Sequence, residues 1–263
     1  MVRWDVERTP TSVQLLVGLG ADYGLTAQTC LERTGLWVED LGDPAAAVGA
    51  RQELTVIANL LSALGDPPGI GLEAGIRYHL TTYGIWGFAM ISSPSWRSAI
   101  DIGLRYLDLT FAFTRIAARD RGEEFHLVLD TPDIPLALQR FVVERDSAAI
   151  RTIQHELFAA PIPIREMSYA FPPPTARAER YTEIFGVTPT FDAGRTRWAS
   201  TRRSWTCRCP SPTSTPPRSP GSSAASCSPG DRLGPGSLGR SGSTSWRGRA
   251  PRRTSTRSPP RCT

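Results

Sequence analysis

Arg77, His79, Tyr83 and Trp86 fall together in the stretch RYHLTTYGIW at 77–86. On a continuous helix His79 and Tyr83 would stand at i and i+4, two hydrogen-bonding groups on one face beside an aromatic wall. That combination suits a pocket for a small-molecule effector, with these four residues as its candidate lining. His79 also has a narrower use, as the ligand of a haem in a gas sensor. A plainer one is a core histidine bonded to a backbone carbonyl. Gly75, Gly84 and Gly87 punctuate the same region. Glycine costs about 1 kcal/mol relative to alanine inside a helix, so three here predict close packing of elements or a break in the helix.

Other chemistry finds no footing. The glycines between 65 and 71 are interrupted by Pro67-Pro68, and no lysine follows to hold a phosphate. No Gly-x-Ser-x-Gly nucleophile elbow occurs. The acidic residues are scattered at ordinary helix-surface positions, so no catalytic carboxylate pair stands out. Four of the five cysteines, Cys207, Cys209, Cys227 and Cys262, lie near the C-terminus at spacings that fit no zinc pattern. His126, on a predicted strand, and His155, on a helix surface, have no metal-like neighbours. The chain therefore reads as a non-enzyme with no metal site and no required cofactor.

The elements that must position the candidate residues follow from periodicity. Thr9-Pro10 opens a first helix, and Thr26 caps a short one through Leu31. Ala50, Leu54, Ile57, Leu61 and Leu64 share one face of a helix spanning about 44–64, stopped by Gly65 to Gly69. Another helix starts near Leu72 and is expected to run into the 80s. Ser93-Pro94 precedes a helix with the apolar stripe Trp96, Ala99, Ile100, Gly103, Leu104 and Leu107, and with Asp101 and Arg105 at i,i+4 outside. Thr110 to Ala117 and Glu124 to Asp130 read as strands around a turn at 120–122. A long helix from about Pro135 to Phe158 comes next, with Leu138, Val142, Ile150, Ile153 and Leu157 inward. Ile164 to Phe171 reads as a strand, Thr175 to Phe185 as a helix, and Thr188 to Phe191 as the start of a last, truncated strand that leaves a sheet edge exposed. The predicted fold is α+β: a helical N-terminal half, then a mostly antiparallel sheet with packed helices, then a disordered C-terminal tail.

Charge divides the chain in the same place. All 30 basic residues are arginine. Residues 1–200 hold 18 Arg against 24 acids, and residues 201–263 hold 12 Arg against Asp231 alone, so +5 overall is the sum of −6 and +11. The last 63 residues carry 14 Ser and 10 Pro but no Ile, Val, Phe, Tyr or Met, which predicts disorder. Such an arm can bind nucleic acid through counterion release. A different origin explains more of it. With G or C in third codon positions and the frame moved back one base, STRRSWTCRCP becomes LDAAVLDLPLP, and TSTRSPPRCT becomes DIDEVAAALH. Both are amphipathic and helix-compatible, so everything after about Arg195 reads as a frameshift product. Domain 1–195 and tail 196–263 are the expected parts. The start, MVRWDVERTP, lacks the apolar core of a signal peptide, and the longest apolar run, Gly84 to Ile91, is far short of about 20 residues, predicting a cytoplasmic protein off the membrane.

The stretch GIGLEAGIRYHLTTYGIWGFAMISSPSWRSAIDIGLRYLDLT at 69–110 resembles the N-terminal arabinose-binding-like domain of AraC-type transcription regulators. The resemblance extends through LERTGL at 31–36 and FPPPTARAERYTEIFG at 171–186, and covers about residues 10–195. It implies a bacterial regulator whose N-terminal domain binds a small effector and can form a homodimer. An intact family member would read DNA through a C-terminal helix-turn-helix module, which this chain is expected to lack. The alternative is a stand-alone small-molecule module, for instance a haem or gas sensor.

Overall fold

The structure, a computed structural model, describes residues 6–43, 45–158 and 162–201. β1 (Glu7–Arg8) leads into α1 (Thr11–Asp22), and α2 (Ala27–Leu31) starts as expected, with Thr26 Oγ1 accepting the Thr29 N–H at 3.1 Å. β2 (Val48–Gly49) pairs antiparallel with β1 and delays α3 (Ala50–Leu64) to six residues past the start read from sequence. α3 ends where predicted, at Gly65 with φ 72°, a left-handed cap that glycine adopts without strain.

The helix expected to run from Leu72 into the 80s does not do so. α4 (Ile70–Gly75) stops after six residues because it lies directly on the long helix α7 (Leu136–Leu157). A Cβ on Gly71 would stand 2.5 Å from the Phe141 carbonyl oxygen, and one on Gly75 2.3 Å from that of Arg145. The chain then makes a single 3-10 turn (Leu80–Tyr83), passes Gly84 at φ 53°, ψ −123°, and enters α5 (Ile85–Ile91). Gly87 carries no Cβ for another reason: one would meet the Leu80 carbonyl oxygen at 2.0 Å. Both readings of the three glycines hold, close packing at Gly75 and Gly87 and a break at Gly84.

α6 (Trp96–Arg105) is capped by Ser95, whose Oγ accepts the Ser98 N–H at 3.2 Å, and buries Trp96, Ala99, Ile100 and Gly103. Its outer i,i+4 ion pair joins Arg97 to Asp101 at 3.8 Å, not Asp101 to Arg105 as read from spacing. β3 (Arg115–Arg121) begins five residues later than expected and turns at Gly122 into β4 (Glu124–Asp130). β5 (Ile164–Ser168), α8 (Glu179–Phe185) and β6 (Thr196–Thr201) complete the chain, and the sheet order is β3-β4-β6-β5, antiparallel throughout. The α+β architecture is as predicted, helices first and the sheet after.

The last strand is the main correction. Thr188 to Phe191 contributes one isolated parallel bridge, Ser168 to Thr190, and no strand. β6 instead takes six of the residues assigned to the tail and sits inside the sheet, paired with β4 on one side and β5 on the other. Thr196 and the successive residues Trp198, Ala199 and Ser200 are buried, as suits an inner strand, and the Trp198 ring meets Phe185 edge-on at 6.1 Å. Threonine and tryptophan suit a half-buried pleated surface whatever their surroundings in sequence. The ordered fold therefore passes the boundary set at residue 195. Disorder predicted for 202–263 falls outside the described residues.

α7 carries the deepest polar groups. Glu144 is buried between α4 and α8, accepting the Tyr181 hydroxyl and, at 3.1 Å, the Gly71 N–H. Burial pushes its carboxyl up to about 7, against the Tyr181 hydrogen bond, nearby Arg140 and the Gly71 N–H, which all favour the anion. A folded-state value above the ordinary 4.5 means that the fold holds the proton more tightly than the unfolded chain does. The stability so gained is complete below that ordinary value and is lost as pH rises through about 7. Glu144→Gln should therefore gain on the wild type between pH 5 and pH 8, by up to roughly 3 kcal/mol from the size of the shift. Urea melts at the two pH values check this, and an unchanged gap would show that Glu144 does not titrate there.

Candidate functional site

A cavity of about 70 Å3 opens where the 3-10 turn, α5 and α6 face α7 and the inner side of the sheet. Tyr83, Trp86 and Met90 line it from the first two elements, and Trp96, Ile100, Gly103 and Leu104 from α6. Ile116 and Leu127 close it from β3 and β4, and Ala149, Ile150 and Ile153 from α7. Helical spacing explains the set: the stripe that buries α6 and the inward face of α7 converge on it. Gly103 lets α5 approach α6, since a Cβ there would lie 3.1 Å from Met90 Sδ and 3.2 Å from the Trp86 ring. Trp86 Nε1 donates to the Gly103 carbonyl at 3.3 Å, fixing the indole as a wall.

Aromatic rings pave one end. Tyr83 packs against Trp86 with centroids 5.0 Å apart and against Phe111 at 5.7 Å, while Tyr78 lies 6.2 Å from Phe111 and 6.3 Å from Tyr83. Tyr78 and Phe111 complete the lining with Arg145 and Asp146.

Under this end runs a closed ionic network. Arg145 NH1 donates to Glu53 Oε1 at 2.9 Å, its NH2 to the Phe111 carbonyl at 2.7 Å, and its Nε to Asp146 Oδ1 at 2.9 Å. Asp146 Oδ2 accepts three donors: the backbone N–H groups of Phe113 and Thr114 and the Thr114 hydroxyl, all within 3.0 Å. The Tyr78 hydroxyl donates to Ser12 Oγ at 2.6 Å, and Ser12 in turn to Glu53 at 2.6 Å. Arg8 joins from β1, with NH1 3.4 Å from Glu53 Oε2. Burial works against the Arg145 charge, but Asp146, with Tyr78 and Glu53, outweighs it and holds the guanidinium protonated. Burial likewise pushes the Tyr78 phenol up to about 12. The network ties α1, α3, the 111–114 segment and α7 together, with two arginines facing two carboxylates.

Two of the four residues singled out from sequence reach the cavity, Tyr83 and Trp86. Arg77 and His79 do not line it. Because α4 ends at Gly75, His79 and Tyr83 never share a helical face. His79 begins the 3-10 turn and points outward, its Nδ1 2.5 Å from Glu156 Oε1, and its side chain is 55% exposed. Arg77 pairs with Asp22 at 2.5 Å on the surface. A haem ligand at His79 finds no support in that position, nor does a core histidine.

Residues 24–208 match the family described as the arabinose-binding domain of AraC transcription regulators, N-terminal. The chain belongs to that family. An HTH-type transcriptional regulator of Mycobacterium tuberculosis is 32% identical over 146 residues, 56% of this chain and 42% of that protein. The ornithine utilization regulator of Pseudomonas aeruginosa is 30% identical over 185 residues, 68% of this chain and 52% of that protein. The chain thus spans about half the length of these relatives. The crystal structure of the transcriptional regulator CdpR from Pseudomonas aeruginosa shares the fold, with a TM-score of 0.55 at 18% identity over 76% of this chain and 57% of that one. Among the described residues no helix is long and apolar enough to cross a membrane.

Sequence reasoning missed Tyr78, Phe111, Arg145 and Asp146. The signal was present in α7, where Glu144, Arg145 and Asp146 follow one another in a helix flanked by Val142 and Ala148. Three successive residues sweep about 200° around a helix at 3.6 residues per turn. At least one of these charges therefore had to point inward.

Proposed function

We propose that residues 6–201 are the sensing domain of an AraC-type transcription regulator and that its small-molecule effector occupies the cavity beside Tyr83 and Trp86. The observation that carries this is an apolar, aromatic-lined hollow of about 70 Å3 in the domain the family describes as arabinose-binding, set between short elements and the long helix α7. The ionic network beneath it joins elements far apart in sequence, so a ligand that moves the aromatic end acts on α1, α3 and α7 at once. A homodimer and a cytoplasmic location accompany this reading as family properties. The finer reading is that residues 6–201 supply the sensing part and that no DNA-reading helix-turn-helix lies within residues 202–263. It rests on residues 202–263, whose 12 arginines, single acid and lack of branched aliphatics other than two leucines spell no amphipathic helix pair.

Thermal melting against a panel of small metabolites tests the site. One or more compounds should raise Tm of the full chain, and Leu104→Trp, which fills the cavity from its edge, should abolish that rise while leaving the unliganded Tm within a few degrees. A ligand present at 100 times its Kd adds about 2.7 kcal/mol. A compound that stabilises both proteins equally binds elsewhere and would refute the assignment.

A further inference from the structure

We infer that the cavity, taken as the effector site proposed above, accepts a compact, neutral, mainly apolar molecule of about one ring that carries a single hydrogen-bonding group recognised by Tyr83. Three observations carry this.

The first is that the charged groups at the cavity are already spent. Arg145 directs its N–H groups to Glu53, to Asp146 and to the Phe111 carbonyl, and Asp146 receives three donors on the oxygen that does not face Arg145. Arg8 and Arg145 balance Glu53 and Asp146. A carboxylate or ammonium on the ligand would be stripped of water with no partner of opposite charge to meet it. An amino acid or an organic acid is therefore disfavoured.

The second is the wall itself. Met90, Ile100, Leu104 and Ile153 present only carbon and sulfur, and the Trp86 N–H is taken by the Gly103 carbonyl, so a sugar would bury most of its hydroxyls against groups that cannot bond them. The polar side chains at the aromatic end are mostly satisfied: Tyr78 by Ser12, and Thr110 by the Leu107 carbonyl at 2.6 Å and the Ala112 N–H at 3.2 Å. Tyr83 differs, since among the described residues its hydroxyl has no hydrogen-bond partner although the residue lines the cavity. Burial holds that phenol neutral, as a donor and acceptor for one ligand group.

The third is size and give. At about 70 Å3 the cavity is smaller than the roughly 150 Å3 that admits benzene in a rigid core. A single ring must therefore displace part of the wall. α5 is suited to that: it has seven residues, enters from Gly84, turns Ile85 (78% exposed) and Phe88 (70% exposed) to solvent, and meets the cavity through the adaptable thioether of Met90. Larger molecules would have to unseat Trp86 and Trp96 together.

Isothermal titration of the full chain with 4-ethylphenol, ethylbenzene, L-ornithine and L-arabinose tests the class. Both aromatic compounds should bind and the other two should not, and Leu104→Trp should lose the binding. Tyr83→Phe should weaken 4-ethylphenol about five- to tenfold, the loss of one hydrogen bond, while ethylbenzene stays within about twofold. If L-ornithine or L-arabinose binds and Leu104→Trp loses it, the cavity is still the effector site but the ligand class is wrong. Equal weakening of both aromatic compounds in Tyr83→Phe would overturn the role of its hydroxyl. If none of the four binds, or if Leu104→Trp binds as the wild type does, both the class and the site fall.

Discussion

Arg145→Leu should leave the domain molten or insoluble. The Arg145 side chain is 1% exposed and touches Glu53, Asp146 and the Phe111 carbonyl together. Leucine fills much of the space of the aliphatic stem, so packing alone would not predict a severe effect. The damage comes from what remains, two buried carboxylates and a carbonyl whose partner has gone. Removing one partner of a buried ion pair typically costs about 3–5 kcal/mol, against about 5–15 kcal/mol for a whole domain. The rings of Tyr78 and Phe113, 5.6 and 5.1 Å from the guanidinium carbon, lose a cation as well. The neutralising double variant Arg145→Leu with Glu53→Gln should recover part of the loss, because the residues are coupled through one network. Urea melts of the wild type, the single and the double variant measure this. A single variant within about 1 kcal/mol of the wild type would mean that the network is not closed as described.

Long periodic elements were legible from sequence, and short ones set by tertiary contact were not. α7 was read to within a residue at each end because its apolar repeat and Pro135 are local signals. β4 and the Thr26 cap were equally local. α4 was overextended because the cause of its end is the backbone of another helix: Gly71 and Gly75 meet Phe141 and Arg145, some seventy residues away. That error propagated into the site. A single helix from Leu72 into the 80s would put His79 on a face with Tyr83, whereas the turn at 80–83 sends His79 out to Glu156. Trp86 reaches the cavity from the start of α5, where its N–H is held by the Gly103 carbonyl. Composition hides β6: a run rich in arginine, serine and threonine resembles tail, yet Trp198 with the small Ala199 and Ser200 beside it is enough to fill a slot between β4 and β5.

Trp96→Ala is expected to be the most disruptive truncation in the second half of the core, and it tests the register of α6. Trp96 is 2% exposed at the first position of that helix, set edge-on to Phe158 with centroids 5.3 Å apart, and it also lines the cavity. Alanine removes the whole indole and enlarges a hollow that already exists, so the surroundings can collapse only partly. Such deletions cost about 3–5 kcal/mol. The neighbouring Arg97 points the other way, half exposed, with ion pairs to Asp101 at 3.8 Å and Asp120 at 3.4 Å. Exposed pairs of that kind are worth roughly 0–1 kcal/mol, so Arg97→Ala should melt close to the wild type. One residue is about 100° of helix rotation, and the contrast between the two variants reads that rotation directly. Denaturant melts with equal midpoints for Trp96→Ala and Arg97→Ala would place the buried face of α6 elsewhere, and the cavity built on it would go with it.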